Sequence, residues 1–530
     1  MTATLIALAP PEIPWSRPDH PLLVGKDILE LLSSSMYVDP MCMYREYVQN
    51  AADAIDIARS AGLPNLAGKV EIRIDVSTRA VFIRDDGAGL CERDFVHQLT
   101  ALGGSKKRGT GFRGFRGVGR LAGLAFAQEL IFRSRQPGEN TVHELRWNSR
   151  DVRAMLRSTE SKEDLRGIVA KSIETREISG RGWPDRFFEV ELKGVVRHKD
   201  DRLLNEDQVL NYLAQVAPVP FHPEFRFSDQ IQSLLAAHGI SVGAIDIEIV
   251  GHGQVYRPHR NAVPFGKSGE TKFQELTTMY TPGRDGGIAA VTWILHSDYR
   301  GALPSASLVD GWRFRAGDIQ IGGNDLLVSL FPEARFNSWC VAETHVIDPR
   351  ILPNGRRDHF EQNSFYLDLL NHLGPHARDL AQRCRASSIE RNLIRQVETG
   401  LFECEQRLRV LARGSLGDGS VLKLSSQLSK DLEHLERLSN RSPITPDRRL
   451  AYHGRIKRLK QRLLRSKRSG NDRSALDGFT PMQRSLLGEV FNAIYATHAD
   501  VQKAQEIVDR ILKRVTKSLG ARDVRSKKKN

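Results

Sequence analysis

The segment Arg45-Glu46-Tyr47-Val48-Gln49-Asn50-Ala51-Ala52-Asp53-Ala54 sets three polar side chains along what its periodicity predicts to be one helix. Glu46, Asn50 and Asp53 are spaced by four and three, so on a helix they share a face. Tyr44, Val48, Ala51 and Ile55 supply an adjoining apolar stripe, which places that face beside a core. Polar groups there are costly unless something pairs with them, so the face is expected to line a site. Glu46 can orient and deprotonate a water that attacks a phosphate. Asn50 offers a side-chain oxygen to a hard cation such as Mg²⁺, which takes few protein ligands and completes its shell with phosphates and water. Asp53, nearly a turn on, can hold a ribose, a water or a backbone group. Taken alone, Glu-x-x-x-Asn reads equally well as the solvated face of an amphipathic helix.

Two further elements narrow the choice. Lys69–Val76 alternates polar and apolar residues, Ser77-Thr78-Arg79 interrupts it, and Ala80–Arg84 follows, which predicts a β-hairpin. It leads into Asp85-Asp86-Gly87-Ala88-Gly89, where glycines let the backbone turn and a flat ring lie against it. A carboxylate at such a strand end can accept a hydrogen bond from the exocyclic amine of adenine, although an Asp-Gly pair is also ordinary turn chemistry. Next, Gly103–Gly123 holds eight glycines and six lysines or arginines. Backbone N–H groups can converge there on phosphates, and the following Leu121–Glu129 reads as a helix whose N-terminus would face the anion. The run is neither a Walker A loop nor a dinucleotide-binding G-x-G-x-x-G.

In this order and spacing, the elements resemble the GHKL ATPase superfamily of gyrase, heat-shock chaperones, histidine kinases and MutL. The expected fold class is therefore α/β, with an N-terminal Bergerat-fold α/β sandwich, an α/β middle domain and an all-α C-terminal region. Gly25–Pro40 leading into Arg45-Glu46, together with Gly114-Phe-Arg-Gly-Val-Gly119, is most similar to the heat shock protein 90 chaperone family. By that resemblance Glu46 is the general base, Asn50 the Mg²⁺ ligand and Asp85 the adenine partner. Gly89 lies under the base, Asp53 joins the nucleotide site, and Lys106, Gly114, Gly117, Val118 and Gly119 meet phosphate. The segment at about 101–117 becomes an ATP lid.

The likeness extends to Gly311–Gly322, similar to a strand pair of the family's middle domain, and to Val346–Glu361. The latter resembles a catalytic loop in which an Asn-x-x-Arg supplies a cation to the γ-phosphate. Residue by residue, Arg357 takes that role beside Asn354, with Arg356 as the competing arginine. A purely structural arginine paired with Asp358 or Glu361 is the alternative. An arginine suits the task because it is always charged and its fork matches phosphate oxygens. Two departures stand out. Gly182–Leu192 lacks the threonine the family places below the adenine, and Arg120-Leu121 follows the lid glycines in place of the usual aromatic.

The expected division is 1–204 for the ATP-binding domain, 205–363 for the middle domain, and 364–530 for a basic helical region ending in a disordered tail. Helical patterns run over 364–412, 421–440, 446–468 and 480–519. Residues 158–182 read as an exposed insertion with a short helix. No apolar run reaches ~18 residues, so no transmembrane helix and no membrane partner are expected. The first eleven residues make a poor signal peptide. Five scattered cysteines without C-x-x-C spacing argue for a reducing cytoplasm, without a zinc site or disulfide framework.

Charge is unevenly distributed. Residues 364–530 hold 34 Lys+Arg and 18 Asp+Glu, a net +16 against +14 for the chain, which leaves about −2 for the rest. Nucleic acid is thus a possible partner for the C-terminal region, a solvated basic face being the alternative. Two function classes emerge. One is a chaperone-like ATPase acting on protein clients or a partner protein by lid closure and association of nucleotide domains, with homodimerisation implied by the family. The other is a MutL- or MORC-like clamp on DNA or RNA, in genome maintenance or defence. A histidine kinase is excluded, because no phospho-accepting histidine precedes the nucleotide motifs on a helix.

Overall fold

The computed structural model describes residues 39–101, 119–158, 164–197, 200–266, 269–413, 416, 418–468, 475–498 and 501–526. The lid expected at 101–117, with Lys106, Gly114, Gly117 and Val118, lies outside the described residues apart from Ala101, as does Gly25–Val38. The chain divides into two units, residues 1–297 with 302–378, and residues 298–301 with 379–530.

The first unit begins with helix α1 (Cys42–Ser60) and the predicted hairpin, strands β1 (Lys69–Asp75) and β2 (Ala80–Asp85), paired from Val70↔Asp85 to Asp75↔Ala80. The Asp75 carboxylate closes the turn by accepting from the backbone N–H groups of Ser77 and Thr78 at 2.9 and 3.1 Å. Helix α2 (Glu92–Thr100), β3 (Ala127–Arg135), β4 (Thr141–Asn148), helices α3 (Ser149–Arg157) and α4 (Leu165–Ser172), β5 (Ile173–Ser179) and β6 (Phe187–Val195) come next. After α5 (Glu206–Val216) and α6 (Ser228–Ala236), β7 (Asp246–Ile249) and β8 (Gly253–Gln254) complete an eight-stranded sheet. Its order is β5-β4-β3-β6-β2-β1-β7-β8. Within this sheet, among the described residues, only β1 and β7 run parallel.

Alternation along the strands gives this sheet two unlike faces. Val70, Ile72, Ile83, Leu130, Phe132, Val190 and Leu192 form one core with Tyr44, Val48, Ala51 and Ile55 of α1. The opposite face carries a charge ladder. Arg133 meets Glu144, Glu189 and Glu191 at 2.7, 2.9 and 2.7 Å, and Arg84 meets Glu189 at 2.6 Å.

The stretch expected to be an exposed insertion is instead partly integrated. Residues 173–179 form β5, which pairs antiparallel with β4 at the sheet edge. Its sequence Ile-Glu-Thr-Arg-Glu-Ile-Ser lacks a buried face, as suits an edge strand protected by charge.

The middle part of the first unit adds the two-stranded ladder of β9 (Ala262–Phe265) and β10 (Gly269–Lys272). A five-stranded sheet then gathers β11 (Glu275–Pro282), β12 (Ile288–His296), β13 (Gly311–Ala316), β14 (Ile319–Ile321) and β15 (Val341–Val346). The order is β11-β12-β15-β13-β14. Gly317 and Asp318 join β13 to β14 with φ of 58° and 64°, the two left-handed residues of a tight hairpin turn. Beneath that turn lies a buried ionic cluster. Glu343 receives Arg257 at 3.1 Å and Arg315 at 2.8 Å, Arg257 also pairs with Asp318, and all four are at most 1% exposed. Arg315 and Arg313 additionally reach the carbonyl and side chain of Gln215 at 2.7 and 3.0 Å, tying α5 to this sheet. Burial pushes the imidazole of the adjoining His259 down to about 3.

The C-terminal region is helical. α7 (Ser364–Ala412) starts in the first unit, and α8 (Asp418–Ser439), α9 (Pro446–Arg468), α10 (Pro481–Thr497) and α11 (Val501–Ser526) belong to the second. The single helix expected over 480–519 is two helices, because His498 adopts extended angles (φ −100°, ψ 119°). The second unit's core gathers Val397, Leu401, Leu428, Leu432, Ile456 and Leu459, among others. Among the described residues, no helix is long and apolar enough to cross a membrane.

Candidate functional site

The polar face of α1 is buried as its spacing requires. Glu46 is 9% exposed, Asp53 fully buried and Asn50 half-buried. Beneath Glu46 sits Gly119 of the glycine-rich run, and a Cβ at that position would collide with the Glu46 carboxylate unless that side chain moved. The run therefore passes against the proposed base.

Beyond Gly119 the chain departs from the expected helix. Gly119–Ala125 is a 3₁₀ turn, and β3 begins two residues later. Leu121, Ala122 and Leu124 are all buried, and β3 takes up the alternation of a strand. The turn is pinned to α1 by Tyr47, whose hydroxyl donates to the Arg120 carbonyl at 3.1 Å and accepts from the Gly123 N–H at 2.8 Å. Sequence reasoning missed Tyr47. Its signal was a tyrosine inside an otherwise apolar core stripe, because a buried phenol needs a partner. Burial also drives this phenol's pKa upward, keeping it neutral.

At the end of β2 the two adjacent aspartates part ways. Asp86 accepts three backbone N–H groups, from Ala67, Gly68 and Lys69, at 2.8, 3.0 and 2.8 Å, so it organises the loop before β1. Asp85 is 5% exposed and accepts the Gly87 N–H at 2.9 Å. The turn reaches α1 through a hydrogen bond from the Ala88 N–H to the Ala54 carbonyl at 3.1 Å, so Asp85 lies by the Asp53–Ala54 turn of the helix. Gly89 has φ +66°, and a Cβ there would stand 2.5 Å from the Arg135 carbonyl oxygen.

Across the sheet from Asp85 stands Phe188 of β6. No hydroxyl takes the place of the missing threonine on that strand. Instead Arg186 donates to the carbonyls of Asp86 and Pro64 at 3.1 and 3.0 Å. The nearby buried hydroxyl belongs to Ser134 of β3, which accepts the Leu90 N–H at 2.7 Å and holds the turn after Gly89.

The loop after β15 completes the site. Asn354 donates through its amide to Asp358 at 2.7 Å and through its backbone to the His359 carbonyl at 2.9 Å. This tight arrangement puts Arg357 in the left-handed region at φ +57°, an uncommon conformation for a long side chain. The Arg357 guanidinium lies 3.4 Å from the Glu46 carboxylate, with the two side chains 10% and 11% exposed. Arg45, next to Glu46, donates to the Arg356 carbonyl at 2.8 Å across 311 residues of chain. Of the two candidate arginines, then, Arg357 points at Glu46 and Arg356 is exposed. Sequence reasoning also missed Arg45.

A buried carboxylate and an arginine thus meet beside the turn at Gly119 on a mixed sheet. Residues 44–177 match the family model described as histidine kinase-, DNA gyrase B-, and HSP90-like ATPase. Within that class the chain is similar to Chaperone protein HtpG. It is 29% identical to the protein of Rickettsia canadensis over 201 residues, 34% of this chain and 31% of that protein. It is 30% identical to that of Rickettsia akari over 163 residues, 27% and 26% of the two chains. For Nitrosomonas eutropha the identity is 27% over 198 residues, 34% and 30%. The matched segment thus spans about a third of the length of these curated relatives.

Proposed function

We propose that this protein is a Mg²⁺-dependent ATPase of the heat shock protein 90 type that acts on protein clients in the cytoplasm. The observation that supports this best is the approach of Arg357 to Glu46, which joins a loop of the second sheet to the polar face of α1. Glu46 takes the proton of the attacking water, and the Arg357 guanidinium meets the charge that grows on the γ-phosphate. Because the two side chains pair with each other, turnover requires Arg357 to leave Glu46 for phosphate, freeing the carboxylate to act as a base.

Asp85 receives the adenine amine, with Gly89 under the ring and Asp53 toward the ribose. Gly119 closes on the phosphates with Lys106, Gly114, Gly117 and Val118. The donor set suits Mg²⁺. Asn50 contributes one oxygen, as a cation shared with phosphate and water requires. When bound, the ion neutralises phosphate charge. The proposed assembly is a homodimer joined by C-terminal helices, of which α10 exposes Met482, Leu486 and Val490 at four-residue spacing. Sedimentation velocity of the full chain is expected to give twice the chain mass, and a monomer at tens of micromolar would refute it.

Asp85→Asn replaces an acceptor with a group that can turn a donor toward the adenine amine. ATP affinity, measured by calorimetry, is expected to fall on the order of 10²-fold or more; unchanged affinity would place the base elsewhere. Arg357→Ala is expected to slow turnover roughly 10³-fold, the low end for a transition-state arginine, with ATP binding largely kept. Arg356→Ala should lose far less, and the reverse ranking would transfer the role to Arg356. For the function as a whole, the test is ATP-dependent suppression of aggregation of a model client by wild type beside Glu46→Ala. Suppression by both proteins alike, or by neither, would sink the chaperone reading while leaving the ATPase assay to stand or fall separately.

A further inference from the structure

Helix α9 presents two unlike faces. Tyr452, Ile456, Leu459 and Leu463 are at most 5% exposed and pack into the second unit's core. Beside that stripe, Arg448, Arg455, Arg458, Arg462 and Arg465 succeed one another at spacings of seven, three, four and three, which keeps them on one flank of the helix. Ala451 and Ser466 lie between them on that flank, and the one acidic residue of the helix, Asp447, lies at its start.

The structure separates the arginines with a folding role from those without one. Arg455 pairs with Glu398 at 2.7 Å and Glu405 at 3.3 Å, and on the helix's other flank Lys460 pairs with Glu436 at 2.6 Å. Arg448, Arg458, Arg462 and Arg465 are exposed and take no part in any ion pair or side-chain hydrogen bond of the described residues. They span about 25 Å of a straight helix, from the rise of ~1.5 Å per residue.

From this ridge we infer that α9 is a docking surface for duplex DNA, gripped through its phosphate backbone without regard to sequence. Arginine forks match phosphate oxygens in pairs. No aromatic side chain is interleaved, so bases of a single strand have nothing to stack on. An anionic membrane is disfavoured, because the helix's apolar stripe is buried in protein and its two exposed leucines, Leu450 and Leu464, are too far apart along the chain to form an inserting face. An acidic protein partner would be expected to meet aromatic anchors among the charges, and the ridge has none. A rigid duplex offers pre-ordered phosphates on two helical strands, several of them within reach of a row of cations ~25 Å long. The inference does not rest on the ATPase reading.

The test is fluorescence anisotropy of the full chain with a labelled 20-base-pair DNA of arbitrary sequence between 50 and 200 mM salt. Single-stranded DNA, duplex RNA, phosphatidylserine vesicles and polyglutamate serve as competitors. Four phosphate contacts predict a slope of about −3.6 in log affinity against log salt. R458Q/R462Q/R465Q should weaken binding at least tenfold at the lower salt and flatten the slope by about 2.7. R458K/R462K/R465K keeps the charge and should keep most of the slope. R93Q/R150Q/R181Q removes the same charge from exposed sites of the first unit and should bind like wild type. Equal melting temperatures confirm folding of all variants. The inference is overturned if the glutamine ridge variant binds as wild type does, if the control variant weakens binding equally, or if vesicles, polyglutamate or single strands outcompete the duplex.

Discussion

Glu46→Ala is expected to bind ATP and to lose hydrolysis by about 10²–10⁴-fold, the usual worth of a positioned general base. The reasoning is geometric. The carboxylate is nearly buried, faces Arg357 and backs onto Gly119, so no other acid of α1 can replace it without shifting the turn that Tyr47 holds. Glu46→Gln keeps the shape and should lose turnover to a similar degree. Both variants are compared with wild type by phosphate release and by nucleotide affinity. Normal turnover in either would remove Glu46 as base. Because alanine also leaves Arg357 without this partner, melting temperatures are needed to separate lost chemistry from lost folding. The glutamine variant should melt closer to wild type.

Glu343→Ala should destabilise the first unit by about 3–5 kcal/mol, the range for removing one member of a buried ionic group. Glu343 is 1% exposed and receives both Arg257 and Arg315, while Asp318 balances only Arg257 directly. Its loss leaves the buried Arg315 charge without its carboxylate partner, with the carbonyls of Gln215 and Asp318 as remaining acceptors. The neighbouring imidazoles cannot compensate, because His259 and His345 are both held toward the neutral form by burial, and a further cation there would add to the imbalance. Trp293, whose ring lies 5.2 Å from that of His259, provides a fluorescence probe of this unit in urea. A loss below about 1 kcal/mol would mean that the arginines turn out to water when the carboxylate is gone.

Much of this protein was legible before any tertiary contact was known. The one-sided polar face of α1, the β1–β2 hairpin, and the helices over 364–412 and 446–468 all arise from spacings of three, four or two, which are local and survive in the linear text. Where local pattern and distant packing competed, the pattern misled. Leu121–Glu129 has a helix-like composition, but Tyr47 and β6 hold it as a 3₁₀ turn and a strand. Residues 173–179 carry no strand alternation, because an edge strand with charges on both sides needs none.

The sequence by itself determined which chemical groups are present and in what local order: a carboxylate and an amide on one helix, an aspartate at a strand end, glycines and cations in a run, and arginine pairs far downstream. Only the tertiary structure decided where each member of a pair goes. Asp86 ties down a loop while Asp85 turns to α1, and Arg356 offers its carbonyl to Arg45 while Arg357 reaches Glu46. On α9 the structure likewise separated the arginine held by Glu398 and Glu405 from the four that face solvent. The reason is physical: periodicity sets which side of an element a residue occupies, whereas partners hundreds of residues away are set by how those sides pack.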